Sequence, residues 1–183
     1  MALNGPWGTF IHIPKTGGIS LRYALRTIYQ TAGEEAGFTH SVPPTYDKAF
    51  AVVRHPVAWL RSYYTYRVKF GWMPKWDAPP CWNAIMGMTY FADRLPWDEW
   101  VKAICTQKPG LVGLVYALYD VPRVTFYRLE NITELFNDLG IKVFLPQLNV
   151  GENKPDVTDE QRLMMCEAEK ATLERYGYEA GDI

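Results

Sequence analysis

The segment from His12 to Ser20 reads His-Ile-Pro-Lys-Thr-Gly-Gly-Ile-Ser, and these residue types predict phosphate binding. Glycines let the backbone turn closely around an anion, and the first N–H groups of a following helix point toward it. Lys15 supplies a point charge, and the hydroxyls of Thr16 and Ser20 can donate hydrogen bonds. The sequence therefore indicates an anion-binding loop that begins beside Pro14 and ends where a helix starts.

The order of residues in this loop differs from that of nucleotide triphosphatases. Their loops read G-x-x-x-x-G-K-S/T, with lysine after the glycines, whereas here Lys15 precedes Gly17 and Gly18. No predicted strand ends in an acidic residue suited to magnesium, so we expect no metal site. The pattern disfavours ATP or GTP hydrolysis, and a P-loop kinase for a small metabolite is the least favoured alternative.

A second basic position follows the next predicted strand. Residues 49–53 are apolar, Arg54 and His55 come directly after them, and Pro56 suits the first turn of a helix. Ser62 lies eight residues after Arg54, so that it falls inside this helix. At that spacing both side chains can reach one phosphate. Two such motifs, each at a strand-to-helix junction, are more specific than either one alone.

The predicted strands and helices alternate along the chain. We expect strands at 8–13, 49–53 and 123–127 and helices at 19–29, 57–68, 132–139 and 158–176. This order predicts a three-layer, P-loop-type α/β fold with a mainly parallel sheet. All 183 residues are expected to form one domain. The prolines and glycines of residues 69–95 predict a long irregular loop with a functional role.

Composition limits the classes of partner. The formal net charge of −1 gives no overall attraction to nucleic acid or anionic membranes, so anion binding must be local. Cys81, Cys105 and Cys166 lack metal-ligand spacing and are predicted to be reduced, packed thiols. We find no signal-peptide pattern and no apolar stretch near the roughly 18 residues of a membrane span. A cytoplasmic protein, or a catalytic domain cut from its anchor, is expected.

The two phosphate motifs together resemble those of PAPS-dependent sulfotransferases, PAPS being the sulfate donor 3′-phosphoadenosine-5′-phosphosulfate. Residues 10–21 are similar to the 5′-phosphosulfate loop of that superfamily, nearest its carbohydrate 2-O-sulfotransferases and their bacterial relatives. Residues 50–56 and 62–64, Phe-Ala-Val-Val-Arg-His-Pro and Ser-Tyr-Tyr, are similar to its 3′-phosphate motif. The resemblance is firm over residues 8–66, weaker near Arg128 and Asn149, and very weak through residues 69–95.

The resemblance implies in-line transfer of a sulfuryl group from PAPS to an acceptor hydroxyl or amine, with PAP as the product and no metal required. Lys15 would neutralise the charge that builds on the oxygen leaving with PAP. Arg54 and Ser62 would hold the 3′-phosphate. The remaining donor contacts would be Thr16, Gly17, Gly18, Ile19, Ser20, Arg128 and Lys154.

A general base should remove the acceptor proton. His40 lies where related enzymes often place a histidine after the first helix, and it is the first candidate. Glu34 and Glu35 are alternatives. His12, on the first predicted strand, has either a structural or a substrate-binding role, and His55 is expected to orient the turn after Arg54.

The acceptor is expected to be a carbohydrate or a small molecule. Trp72, Trp76, Trp82 and Tyr90 form either a lid that binds it through aromatic faces or a satellite core beneath a long loop. The nearby basic residues Arg61, Arg67, Lys69 and Lys75 are interpreted as solvated charges rather than an anion site. The alternative function from another class is a module that binds PAP or PAPS without turnover.

Overall fold

A computed structural model of the chain describes residues 2–29, 35–36, 47–71, 80–142 and 153–182. The chain divides into two compact units, each built from two separate segments. The first unit comprises Met1–Arg54 and Tyr119–Val150, and the second comprises His55–Leu118 and Gly151–Ile183. No helix within the described ranges combines the length and apolarity needed to cross a membrane.

The first unit is built on a five-stranded mixed sheet. Its strands are β1 (Ala2–Gly5), β2 (Gly8–Ile11), β3 (Glu35–Ala36), β4 (Ala49–Val53) and β5 (Val124–Arg128). The strand order is β3-β1-β2-β4-β5, with β1 antiparallel to both neighbours and the pairs β2–β4 and β4–β5 parallel. The predicted α/β class is confirmed, but β1 is absent from the sequence-based prediction and makes the sheet mixed.

Helices belong to both units. The first unit contains α1 (Gly18–Tyr29) and α6 (Ile132–Asp138). The second contains α2 (Pro56–Phe70), α3 (Pro80–Thr89), α4 (Trp97–Gln107), α5 (Leu111–Ala117), α7 (Asp159–Ala168) and α8 (Lys170–Tyr176). Short 3-10 helices lie at Tyr90–Ala92 and Leu129–Asn131.

One face of the sheet and the apolar sides of α1 and α6 form the core of the first unit. Alternation along a strand sends Phe50 and Val52 to the same face, where Phe10 stacks on Phe50 at 5.5 Å between ring centroids. Leu21 of α1 and Leu135 of α6 pack into the same cluster. Burying these side chains fixes α1, and hence the loop before it, against β2 and β4.

The predicted irregular loop at 69–95 is wrong over much of its length. The helix α2 continues to Phe70, and residues 80–92 are helical. Pro80 opens α3 at a first-turn position that proline favours, and Ile85 and Thr89 are buried one turn apart. Residues 72–79 lie outside the described ranges.

The predicted helix 158–176 is two helices, because Glu169 breaks it. The expected capping box is confirmed: Gln161 N donates to Thr158 Oγ1 at 3.2 Å, and Thr158 N donates to Gln161 Oε1 at 3.0 Å. At the break, the carbonyl of Ala168 accepts from the N–H of Gly110 instead of continuing the helix. The buried Glu169 carboxylate accepts from Val112 N at 2.8 Å and caps the first turn of α5.

Glu169→Ala is expected to lower the free energy of unfolding by about 2–3 kcal/mol, because it leaves buried N–H groups of α5 without their acceptor. Burial raises the pKa of Glu169 above its ordinary value of 4.5. The folded protein therefore keeps this proton to higher pH than the unfolded chain does. The stability that Glu169 contributes is lost as pH rises from 4.5, its ordinary pKa, through the raised pKa of the folded state. Urea denaturation between pH 4 and 8 checks both effects. Glu167→Ala, at an exposed position of α7, is the control, and an equal loss there would contradict the cap.

Aromatic side chains of α2 and α4 form the core of the second unit. Trp59 stacks on Tyr63 at 5.1 Å, and Trp97 stacks on Trp100 at 5.8 Å. Trp59, Tyr63 and Trp100 are fully buried. The two tryptophans of α4 are therefore structural.

Arg67, in the predicted solvated basic cluster, is instead completely buried, so that interpretation is wrong for this residue. Its Nη2 donates to Asp93 Oδ1 at 3.1 Å, and its Nη1 donates to the Tyr63 hydroxyl at 3.0 Å. The Tyr63 hydroxyl lies 2.9 Å from Thr89 Oγ1. This network pairs the buried guanidinium with a carboxylate, and a buried charge without such a partner would be costly.

Cys105 and Cys166 are free thiols, as predicted. Burial raises the pKa of Cys105 to about 12, so its reactive thiolate is scarce at neutral pH. The Cys81 side chain lies outside the described part of the structure.

Candidate phosphate-binding site

The loop between β2 and α1 is a tight turn over Pro14–Gly17. Gly17 has a φ of 76° and Lys15 a φ of 67°, both in the left-handed region. That backbone is natural for glycine but costs a residue with a side chain about 1–2 kcal/mol. The turn therefore holds Lys15 in a strained conformation three residues before α1 begins, and strained residues cluster at functional sites.

Thr16 fixes the turn from inside. Its hydroxyl donates to the carbonyl of Ile13 at 2.9 Å, and the residue is only 1 % exposed. The only proton of the Thr16 hydroxyl is therefore used in this hydrogen bond to the backbone. In this conformation Thr16 shapes the loop, and an anion would meet backbone N–H groups rather than the Thr16 hydroxyl proton.

The start of α1 provides such N–H groups. The Leu21 N–H donates to the Gly17 carbonyl at 3.1 Å as the helix begins, and the N–H groups of Gly18, Ile19 and Ser20 precede it. The first turn of α1 contains no acidic residue, so no carboxylate of that turn neutralises the positive end of the helix dipole.

The parallel strands β2, β4 and β5 bring three basic residues to one edge of the sheet. Val53 and Arg128 are register partners at the ends of β4 and β5, and Arg54 follows Val53 directly. The loop containing Lys15 follows β2, the neighbour of β4. Since parallel strands end at the same edge, the lysine and both arginines belong to one edge of the first unit.

Leu129 connects the loop physically to the end of β5. A Cβ placed on Gly17 would lie 2.9 Å from Leu129 Cδ1, so the glycine and the leucine are in close contact. Next to it, the Asn131 amide, oriented to satisfy its neighbours, accepts from Arg128 Nη2 and donates to the Glu130 carbonyl at 3.2 Å. No sequence signal predicts the contact between Gly17 and Leu129, because these residues are distant in the chain and meet only in the folded unit.

Two further predicted donor contacts belong to the second unit. Ser62 is half-buried within α2. Lys154 is half-buried, and its carbonyl accepts from Arg61 Nη2 at 3.5 Å. The predicted base His40, the alternative Glu34 and the tryptophans Trp72 and Trp76 lie outside the described residues. The side chains of Trp82 and Glu35 do as well, whereas Tyr90 is 71 % exposed.

The two described histidines are buried. His55 caps α2: its Nδ1 accepts from Val57 N at 3.3 Å, which leaves Nε2 to donate to the Glu179 carbonyl at 3.0 Å. The prediction that His55 orients the turn after Arg54 is confirmed. His12 is 6 % exposed, stacks with Phe10 at 6.2 Å, and lies against Gly18.

The first unit also has an open surface cavity of about 630 Å³, but it lies at the other edge of the sheet. Its lining includes Gly8 and Thr9 at the start of β2, and Lys48 just before β4. These are the amino ends of the strands, so this cavity does not coincide with the edge that carries Lys15, Arg54 and Arg128.

No protein-family model matches this chain, and no match was found among curated proteins or among solved structures.

Proposed function

We propose that this protein is a sulfotransferase that moves a sulfuryl group from PAPS to an acceptor hydroxyl, on a carbohydrate or a small molecule, and that its fold is of the P-loop type. The observation that supports this most is the basic edge of the first unit. Lys15, Arg54 and Arg128 stand at the ends of three adjacent parallel strands, beside the start of α1. Three positive charges and a helix start suit a ligand that carries two separate phosphate groups.

The loop supplies the 5′-phosphosulfate end of this site. The N–H groups at the start of α1 hold the 5′-phosphate, and Lys15 places its charge at the oxygen that bridges phosphorus and sulfur. The bond from sulfur to that oxygen breaks as a bond from sulfur to the acceptor oxygen forms, and PAP leaves with the electron pair. Because this reaction needs little covalent help, positioning and charge account for most of the catalysis.

The 3′-phosphate distinguishes PAPS from ATP, and Arg54 is its proposed ligand. An arginine at a strand end presents a planar fork of donors that suits phosphate oxygens. Arg128, on the neighbouring strand, adds a second guanidinium at the same edge. The contributions of Ser62 and Lys154, in the second unit, rest on the sequence resemblance.

The acceptor proton goes to a general base, and His40 is the proposed one. His12 is a poor alternative because it is buried and its ring is packed between Phe10 and Gly18. The tryptophans of α4 are core residues, and the proposed aromatic acceptor surface consists of the exposed Tyr90 together with Trp72, Trp76 and Trp82.

Incubation with ³⁵S-labelled PAPS and panels of carbohydrates, phenols, lipids and peptides tests the activity. The proposal expects label in one acceptor class, at a rate that falls by about 100-fold or more in His40→Ala while PAP affinity is unchanged. Full turnover in His40→Ala would show that another residue is the base. PAP binding by the wild type without transfer to any acceptor would support the alternative of a binding module without turnover.

A further inference from the structure

Gly18, the second glycine of the loop, is covered by the imidazole of His12. The three heavy atoms nearest to a Cβ built on Gly18 are Cδ2, Nε2 and Cγ of His12, and such a Cβ would overlap the ring. Resting on the proposed function, we infer that His12 is a positioning residue of the donor site, and that Gly18 must be a glycine because His12 occupies the place of its side chain.

The His12 ring has little room to move away. It is 6 % exposed and stacks with the fully buried Phe10 at an interplanar angle of 19°. Phe10 in turn stacks on Phe50 of the neighbouring strand. A methyl group on Gly18 would therefore have to shift either a ring held in the core or the first turn of α1.

The two glycines of the loop are required for different reasons. Gly17 has a left-handed backbone and also meets Leu129. Gly18 is the first residue of α1 and has ordinary helical backbone, so only the space above it excludes a side chain. That space is occupied by the protein itself, whereas a glycine in a phosphate loop is commonly explained by close approach of the ligand.

The size of the imidazole therefore sets the distance between β2 and the first turn of α1. This distance fixes where the N–H groups of Gly18, Ile19 and Ser20 point, and so where a phosphate can bind. His12 acts on the donor through this turn and needs no contact with it.

Four proteins test this inference: the wild type, His12→Ala, Gly18→Ala and the double variant. Isothermal titration with PAP is expected to show a loss of affinity of at least about 10-fold for Gly18→Ala in the wild-type background. In the His12→Ala background the same change is expected to cost less than about 3-fold, because the two sites are coupled through one contact. An equal loss in both backgrounds would overturn the inference and would assign Gly18 to direct contact with the ligand.

Two controls separate positioning from general stability. Gly87→Ala changes a helical glycine of α3 with open space around it and should leave PAP affinity unchanged in both backgrounds. Ile141→Ala removes a buried side chain that follows α6 and is not on α1, so it should lower the melting temperature without weakening PAP binding to the folded protein. His12→Ala should weaken PAP binding more than Ile141→Ala does, and an equal loss in the two variants would show that His12 has only a structural role.

The inference and the proposed function can fail separately. A wild type that does not bind PAP refutes the proposed function. Thermal unfolding of the same four proteins then still tests the contact: Gly18→Ala should lower the melting temperature much less when His12 is alanine. An identical shift in the two backgrounds would overturn the inference whatever the protein binds.

Discussion

Replacing Lys15 with alanine is expected to lower the rate of sulfuryl transfer by about 100-fold to 1000-fold, the range found when one pre-positioned charge stabiliser of a transition state is removed. Lys15 is held in left-handed backbone in the turn that precedes α1, which fixes the origin of its side chain. Its charge acts where negative charge builds during transfer, so the loss should fall mainly on kcat rather than on KM.

The control for this prediction is Lys48→Ala. Lys48 is exposed and lies in the same unit, just before β4, at the opposite edge of the sheet from the loop. Steady-state kinetics with PAPS should give a nearly unchanged kcat for this variant. If Lys15→Ala keeps more than about a third of the wild-type kcat, the proposed role of the loop in the chemical step is wrong.

The second large effect concerns stability. Asp93→Ala is expected to lower the free energy of unfolding by about 3–5 kcal/mol, the usual result of removing one partner of a buried ion pair. The Arg67 guanidinium is completely buried and would lose its carboxylate at 3.1 Å. Guanidinium denaturation followed by tryptophan fluorescence measures the change directly, because Trp59 and Trp100 report on this core.

Asp156→Ala is the matched control. Asp156 pairs with Arg61 in the same unit at 3.9 Å, but its side chain is fully exposed to solvent. Exposed pairs contribute little, so this change should alter the free energy of unfolding by less than about 1 kcal/mol. Similar losses of unfolding free energy for the two variants would show that burial does not make the Arg67–Asp93 pair more stabilising than an exposed pair.

The elements around the loop follow from local sequence signals. A short apolar run, a glycine turn and helical spacing of Leu21 and Leu25 are sufficient to predict β2, the loop and α1. The same holds for β4, and for the start of α2 at Pro56. These elements were predictable because each signal lies within a few residues of the structure it specifies.

The features that were not predicted depend on distant partners. The strand β1 exists through its pairing with β2 and β3, and the break between α7 and α8 depends on the capture of Glu169 by α5. The sequence around Arg67 does not indicate its burial, because its partner Asp93 is 26 residues away in the chain. The overlap of His12 with the space above Gly18 likewise depends on packing between β2 and α1.

The central claim is that this protein recognises the 3′-phosphate of PAPS, and calorimetry without magnesium tests it most directly. The wild type should bind PAP at least about 10-fold more tightly than ADP, since charge-assisted hydrogen bonds to the 3′-phosphate contribute about 1.5–3 kcal/mol. Arg54→Ala should remove most of that preference while Lys48→Ala keeps it. Equal affinity for PAP and ADP would contradict the claim, as would tighter binding of ATP than of PAP in a parallel titration with magnesium.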